Sequence, residues 1–480
     1  MSELKKVFLS KAQCGLDLGD GSERAEYVNQ DYILNTLGRP HRNIGIMYTY
    51  YPKDKEWPER ISEACKDMVI TFQWDYPYDD YFPYRGGIDG DTTGEPFNQM
   101  RDIRRHGQDV SLTLTCDCSL EDEYLRQIGR DLKPFGRMRL RINHECGGDW
   151  FTHNQRFSYK EIGEFFVRFA KIVKEEAPQI QIVFCGPTID GEGEDAKLKY
   201  EEEFTAPIKE ADIWSMDCYL ALHYGWPFDI CEKGGKSYVI NPVEPFIRNL
   251  KRSSERATLV NNGVCKPLVI SEFNTDGDVT GPLTQGESIK RFVEALKSQD
   301  ISWFDGFSMY QFRDRGRLGL EIEDPNNKSV GIPQPVLKEY KKILADPVFM
   351  PKMESGETVS LPATLRWGGA EDAEGVEIPI TFEKSPEFCE IYFEEELNLM
   401  MELNGRWFYK APGTKCVDLM PAFFENPIEA NTTMTLKLFA PPATGENDPS
   451  QGEDWDINYY TTMTKMPTLR IRYENIGDVG

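Results

Sequence analysis

Between about residues 43 and 345, a short β-rich run, a loop and a helical pattern follow one another over and over. The runs are NIGIMYTYY (43–51), MVITFQWDY (68–76), DVSLTLTC (109–116), RMRLRINHE (137–145), QIQIVFCGP (179–187), DIWSMDCYL (212–220), KPLVISEFN (266–274) and FDGFSMYQF (304–312). Stretches such as LEDEYLRQIGRDL and YKEIGEFFVRFAKIVKEEA lie between them, with apolar residues recurring near every 3.6 positions. A last one, PQPVLKEYKKILAD, follows the eighth run. Strands that alternate with helices must run parallel, each joined to the next by a crossover. Eight such units predict a closed (β/α)8 TIM barrel. The rival, an open doubly wound sheet, announces itself with a Gly-rich first turn, which no stretch here supplies.

The helical period stops near residue 350. Short β-type runs replace it, among them VEIPITFE, CEIYFEE, LMMELNGRWFYK and TTMTLKLFA, separated by turns rich in Gly, Pro, Asn and Asp. The expected division is therefore a barrel over 1–348, with an N-terminal extension, and a β-sandwich over 349–480.

Several classes of function fall away on composition. A net charge of -25 repels nucleic acid and anionic membrane. There is no apolar window long enough to span a bilayer. The N-terminal MSELKKVFLSKAQCG is not an intact secretory signal, which fits either a cytoplasmic chain or a secreted one whose signal has been removed. The 11 cysteines show no zinc-like spacing and read as buried or idle thiols. No Walker loop, G-x-S-x-G elbow or H-E-x-x-H helix is present. No metal or organic cofactor is called for, and the oligomeric state is left open.

The stretch RLRINHECGGDWF carries the most chemistry. Side chains alternate faces along a strand, so Met138, Leu140 and Ile142 should meet the helix layer. Arg139, Arg141, Asn143 and Glu145 should then point into the barrel. An interior Arg is costly unless paired, and Asp217 on the sixth run is the expected partner of Arg139 or Arg141. Glu145 then stands at the C-terminal end of strand four, where barrels build their active sites. His144 should point away from Glu145 unless the strand end is irregular, and the glycines just after Glu145 offer that freedom. Strand seven ends likewise in Glu272. Two carboxyl groups on opposed strand ends, about 5–5.5 Å apart, suit retaining glycoside hydrolysis: one protonates the leaving oxygen and the other attacks the sugar carbon.

These residues resemble the clan A glycoside hydrolases, whose acid/base ends strand four and whose nucleophile ends strand seven. Within that clan, the strand-four stretch is similar to family 26, which includes the β-mannanases: His directly before the acid/base Glu, then a Gly and a Trp-Phe pair. Here these are His144, Glu145, Gly148 (one place later than the family's Gly), Trp150 and Phe151. The resemblance implies that Glu145 is the acid/base, that Glu272 is the nucleophile, and that His144 lies in the sugar site. It implies that Tyr219, two residues after Asp217, hydrogen-bonds the nucleophile. Two departures stand out. Strand eight carries Tyr310 and Gln311 where the clan has a Trp, and Asn143 lies two places before Glu145.

A flat ring covers the C–H face of a sugar while polar neighbours bond its hydroxyls. Trp74, Trp150, Trp226 and Tyr310 are the candidate platforms, with Asn143, His144 and Tyr219 as polar partners. Arg139, Arg141 and Asp217 are the expected support. The leading expectation is a retaining hydrolase of β-linked glycans, β-mannan or a related polymer, with carbohydrate as its only partner. The alternatives are a non-catalytic carbohydrate-binding barrel and a metal-dependent lyase or isomerase. The latter needs a His and acid cluster that only His144 and His223 could begin to supply.

Overall fold

The computed structural model describes residues 4–22, 27–54, 82–191, 193, 195–223, 238–314, 316–440 and 459–474. Parallel strands close into one barrel in the order Gly15–Gly19, Asn43–Tyr50, Asp109–Cys116, Met138–Ile142, Ile180–Cys185, Ile213–Asp217, Leu268–Phe273 and Phe304–Met309. The (β/α)8 expectation is met, but the strand list needs correction. The first strand is Gly15–Gly19, which pairs with Phe304–Met309 on one side and Asn43–Tyr50 on the other. Asn43–Tyr50 is thus strand two, and it pairs directly with Asp109–Cys116 along its whole length. The run 68–76, read above as strand two, lies outside the described residues. One addition and one removal cancel, so Glu145 still follows strand four and Glu272 still lies at the end of strand seven.

Strand four shows why the elements form where they do. Met138, Leu140 and Ile142 are fully buried in the layer between sheet and helices, as their alternation predicts. The helix Tyr159–Glu176 opens on a capping box, with Ser158 and Glu161 bonding each other's backbone N–H. It turns Ile162, Phe166, Phe169 and Val173 onto that layer. Each such side chain contributes roughly 1.5–3 kcal/mol by leaving water.

Residues beyond 350 form two antiparallel sheets around one apolar core. The hairpin Leu399–Leu403/Arg406–Lys410 turns on Asn404 and Gly405, both at positive φ (56° and 80°), the pairing a tight hairpin requires. The larger sheet also takes in the N-terminal strand Leu4–Ser10, which lies between Lys352–Val359 and Asp372–Phe382. A clean cut at 348/349 is therefore too simple: the chain begins in the β-sheet unit and then enters the barrel. The two units meet near the N-terminal ends of the barrel strands. The Trp367 indole donates to the Gly107 carbonyl at 3.2 Å, and the Trp407 amide to that of Gly38 at 2.8 Å. Gly107 precedes strand three and Gly38 strand two, so this contact is at the end opposite Glu145 and Glu272. Among the described residues no helix is long and apolar enough to cross a membrane. The nine described cysteines are free thiols.

Candidate active site

Strand four ends at Ile142, and the next residues abandon its alternation. Asn143 and Glu145 both adopt positive φ, 43° and 52°. This irregular end turns His144 inward, so that its Nε2 lies 4.0 Å from a Glu272 oxygen. The freedom does not come from the glycines that follow, neither of which has positive φ. Gly148 has a different use: a Cβ there would meet the Trp150 ring at 2.7 Å. Its lack of a side chain lets the indole lie close, with Nε1 donating to Glu145 at 2.9 Å.

Asn143 departs from its expected place. Its amide oxygen accepts from the Cys116 N–H at 2.7 Å, and its amide nitrogen donates to the Cys116 carbonyl at 3.1 Å. The side chain acts as an extra ladder rung tying strand four to strand three. Its positive φ takes it out of the interior phase, so its hydrogen bonds serve the backbone.

Arg141 lies at the centre of the site. Its Nε donates to Thr113 at 2.7 Å, one terminal nitrogen reaches both oxygens of Asp217 (2.8 and 3.0 Å), and the other reaches Glu272 at 2.6 Å. Of the two arginines offered for Asp217, Arg141 is the partner. The second Glu272 oxygen accepts from the Tyr219 hydroxyl at 2.7 Å. Each oxygen of Glu272 thus has its own donor, which fixes the carboxylate in one orientation. Tyr310 stands edge-on to Tyr219, with ring centres 5.8 Å apart.

Among the described residues Glu145 has no such clamp, and its carboxylate accepts from the Trp150 indole. Burial pushes its carboxyl well above the usual carboxylate range, and the charges of Asp217 and Glu272 push the same way; the indole and Arg141 only partly oppose them. Asp217 is pushed up to about 7, by burial first and against the pull of Arg141. His144 is held well below the ordinary imidazole range by burial, Arg141 and His153, so it is neutral.

Arg139 pairs elsewhere. It reaches Asp17 at 3.2 Å and Asp305 at 3.4 Å, deeper in the barrel, where Arg42 binds the same two carboxylates at 2.7 Å each. The sequence reading missed Asp17 and Asp20 because it missed strand one. The signal was there: GLDLG alternates Leu16 and Leu18 with Asp17, the same logic that exposed strand four. Asp20, just past that strand, lines a cavity that also meets Glu272, Tyr310 and Gln311. Trp74 and Trp226 lie outside the described residues.

Two sets of ligand-type side chains come within 4.8 Å among the described residues: His144 with Asp217 and Glu272, and His223 with Asp276 and Asp278. In the first, the Arg141 guanidinium already bridges the carboxylates; in the second, Asp278 is paired with Arg317 at 3.0 Å.

No family model and no curated protein matches the chain. Solved structures do. A family 26 β-mannanase from Bacteroides ovatus aligns with a TM-score of 0.43 at 11% identity, covering 70% of this chain and 90% of its own. A family 26 endo-β-1,4-mannanase from Cellulomonas fimi aligns at 0.41 and 11%, covering 89% and 94%. A glucosidase from Croceicoccus marinus aligns at 0.46 and 9%, covering 92% and 99%. These scores all lie below 0.5, so the functional reading rests on the site's own geometry.

Proposed function

We propose that the chain is a retaining glycoside hydrolase of β-linked glycans, with β-mannan or a related polymer as substrate. One observation carries the reading. Two carboxyl groups stand at the ends of strands four and seven of one barrel, and their surroundings are opposed: Glu272 is clamped by Arg141 and Tyr219, while Glu145 has no such clamp among the described residues and is pushed toward its protonated form.

The chemistry follows from that contrast. Glu145 gives its proton to the glycosidic oxygen as the bond to the sugar carbon breaks. Glu272, held in one orientation by Arg141 and Tyr219, forms a bond to that carbon from the other side. The aglycone leaves as an alcohol and a glycosyl ester remains. Glu145, now ionised, takes a proton from water, whose oxygen attacks the same carbon and releases Glu272. Neutral His144 beside Glu272 supplies a hydrogen-bonding group without adding charge. Trp150 and Tyr310 offer rings to the sugar, and Asp217 supports the nucleophile through Arg141. The preference for β-mannan rests on the resemblance of the strand-four stretch to family 26.

The test is a panel of aryl β-glycosides and β-glycans assayed in chelator, beside Glu145→Gln and Glu272→Gln. Hydrolysis with retained configuration, lost in both variants, is expected. Activity that survives both substitutions, or that chelator abolishes, would overturn the reading. Binding of glycans with no turnover would mark a non-catalytic carbohydrate-binding barrel.

A further inference from the structure

The cavity beside Glu272 contains a carboxyl group that the mechanism does not use. Asp20 follows strand one, adjacent in the barrel to strand eight, and is almost wholly buried. It lines the same cavity as Glu272, Tyr310 and Gln311. Among the described residues its partners come from its own loop: the Gly21 amide, the Ser22 amide at 3.0 Å, the Ser22 hydroxyl at 2.8 Å and the Val28 amide at 3.4 Å. Among the described residues no Lys, Arg or His pairs with it. Asp17, three residues earlier, is the opposite case, gripped by Arg42 and Arg139. A buried carboxyl without a counter-ion is costly, and burial accordingly pushes Asp20 up to about 6. A carboxyl that served only to tie its loop could do so from the surface, where that cost vanishes.

Part of the wall beside Asp20 is bare, while Ser22, Ile46, Met47 and Arg141 line the rest. Gly19 and Gly45 carry no side chains, and both line the cavity with Asp20 and Gln311. A Cβ at Gly19 would meet the Gln311 side chain at 3.2 Å, so the recess depends on glycine there. An acceptor-rich carboxyl over bare backbone fits a ligand that brings several donors and no charge. A sugar with two neighbouring free hydroxyls is such a ligand.

We infer that Asp20 is a specificity-determining residue of this site, accepting hydrogen bonds from two vicinal hydroxyls of the sugar whose glycosidic bond is cleaved. The substrate class is narrowed accordingly: a glycan whose reacting unit is unsubstituted on the side facing strand one. This rests on the hydrolase reading above and adds a residue and a substrate constraint to it.

The experiment compares wild type and Asp20→Asn on the best aryl glycoside from the panel and on its mono-deoxy analogues in the glycone. Asn keeps an acceptor for Ser22 but halves the acceptor capacity facing the sugar. Wild type should lose roughly 10–100-fold in kcat/KM on the analogue lacking a contacted hydroxyl. Asp20→Asn should lose a similar factor on the parent and then barely distinguish parent from analogue. A variant that discriminates as wild type does overturns the inference and leaves the hydrolase reading intact. A wild type inactive on every glycoside overturns both. A second measurement covers the case in which the variant does not fold: a crystal structure of Glu145→Gln with intact substrate. Asp20 oxygens about 3 Å from two sugar hydroxyls are expected, and a sugar that leaves Asp20 untouched would overturn the inference.

Discussion

Arg139 and Arg141 sit two residues apart on one strand and face the same interior, yet they belong to two different kinds of charge cluster. The lower one sets Arg42 and Arg139 against Asp17 and Asp305, with Lys11 reaching Asp305 at 2.7 Å from outside. Cations at least match anions there, and Asp17 and Asp305 are both held below the usual carboxylate range. The upper one sets Arg141 alone against Asp217, Glu272 and Glu145. Anions outnumber cations, and burial with the neighbouring negative charges pushes both Glu145 and Asp217 above the usual carboxylate range. Charge matching makes a brace, whereas a deliberate shortfall makes a site that can hold and release a proton.

The largest effect should come from the upper cluster. On the proposed mechanism Glu272→Gln removes the attacking oxygen while keeping the shape; one of its two acceptors becomes a donor, to which the Tyr219 hydroxyl can turn as acceptor, and kcat/KM should fall roughly 10⁴–10⁶-fold. Thermal unfolding should scarcely move. A residual activity within tenfold of wild type would break the comparison at its centre.

The lower cluster should answer in stability. Arg42→Met strands Asp17 and Asp305 with only the longer contacts of Arg139, and unfolding free energy should fall by about 3–5 kcal/mol. Denaturant titration measures it, and kcat per folded molecule should be unchanged. Arg141→Met should do the reverse in emphasis, costing roughly 10²–10³ in kcat/KM by releasing Glu272 from its shorter donor. If Arg42→Met harmed turnover as much as Arg141→Met, the two clusters would not be separate devices.

The same contrast explains what the sequence could and could not reveal. Arg141 with Asp217 was legible because strict alternation in strands four and six fixes which residues share the interior, and Glu272 with Tyr219 was legible from the family resemblance. Glu145 was legible as a strand-end carboxyl. The lower cluster was not, because its anchor Asp17 sits in a strand that begins and ends on glycine and is too poor in β-formers to stand out. Those glycines have a packing reason: a Cβ at Gly15 would collide with the Arg42 guanidinium. Asn143 was misplaced for the opposite cause, since alternation was extended one residue beyond the true end of the strand. The inward turn of His144 depends on positive φ at two non-glycine residues, which no local pattern announces.

Trp150→Phe gives the smallest and most discriminating test. The indole donates to Glu145, and that bond favours the ionised carboxylate. The ring itself stays, so stacking and packing are kept. In the glycosylation step of the proposed mechanism Glu145 must be protonated, so activity is expected below its raised pKa and lost as pH rises through it. Removing the indole donor makes the carboxylate still less favourable, which extends the protonated form to higher pH. The alkaline limb of kcat/KM should therefore move upward. In the second step Glu145 must be ionised to take a proton from water. With a substrate whose leaving group departs easily, that step limits kcat, and kcat should fall at neutral pH in the same variant. A mere packing defect would lower both parameters at every pH and move neither limb. Opposite responses of kcat/KM at high pH and kcat at neutral pH would identify the upper cluster's spare proton as the one that shuttles, and place it on Glu145.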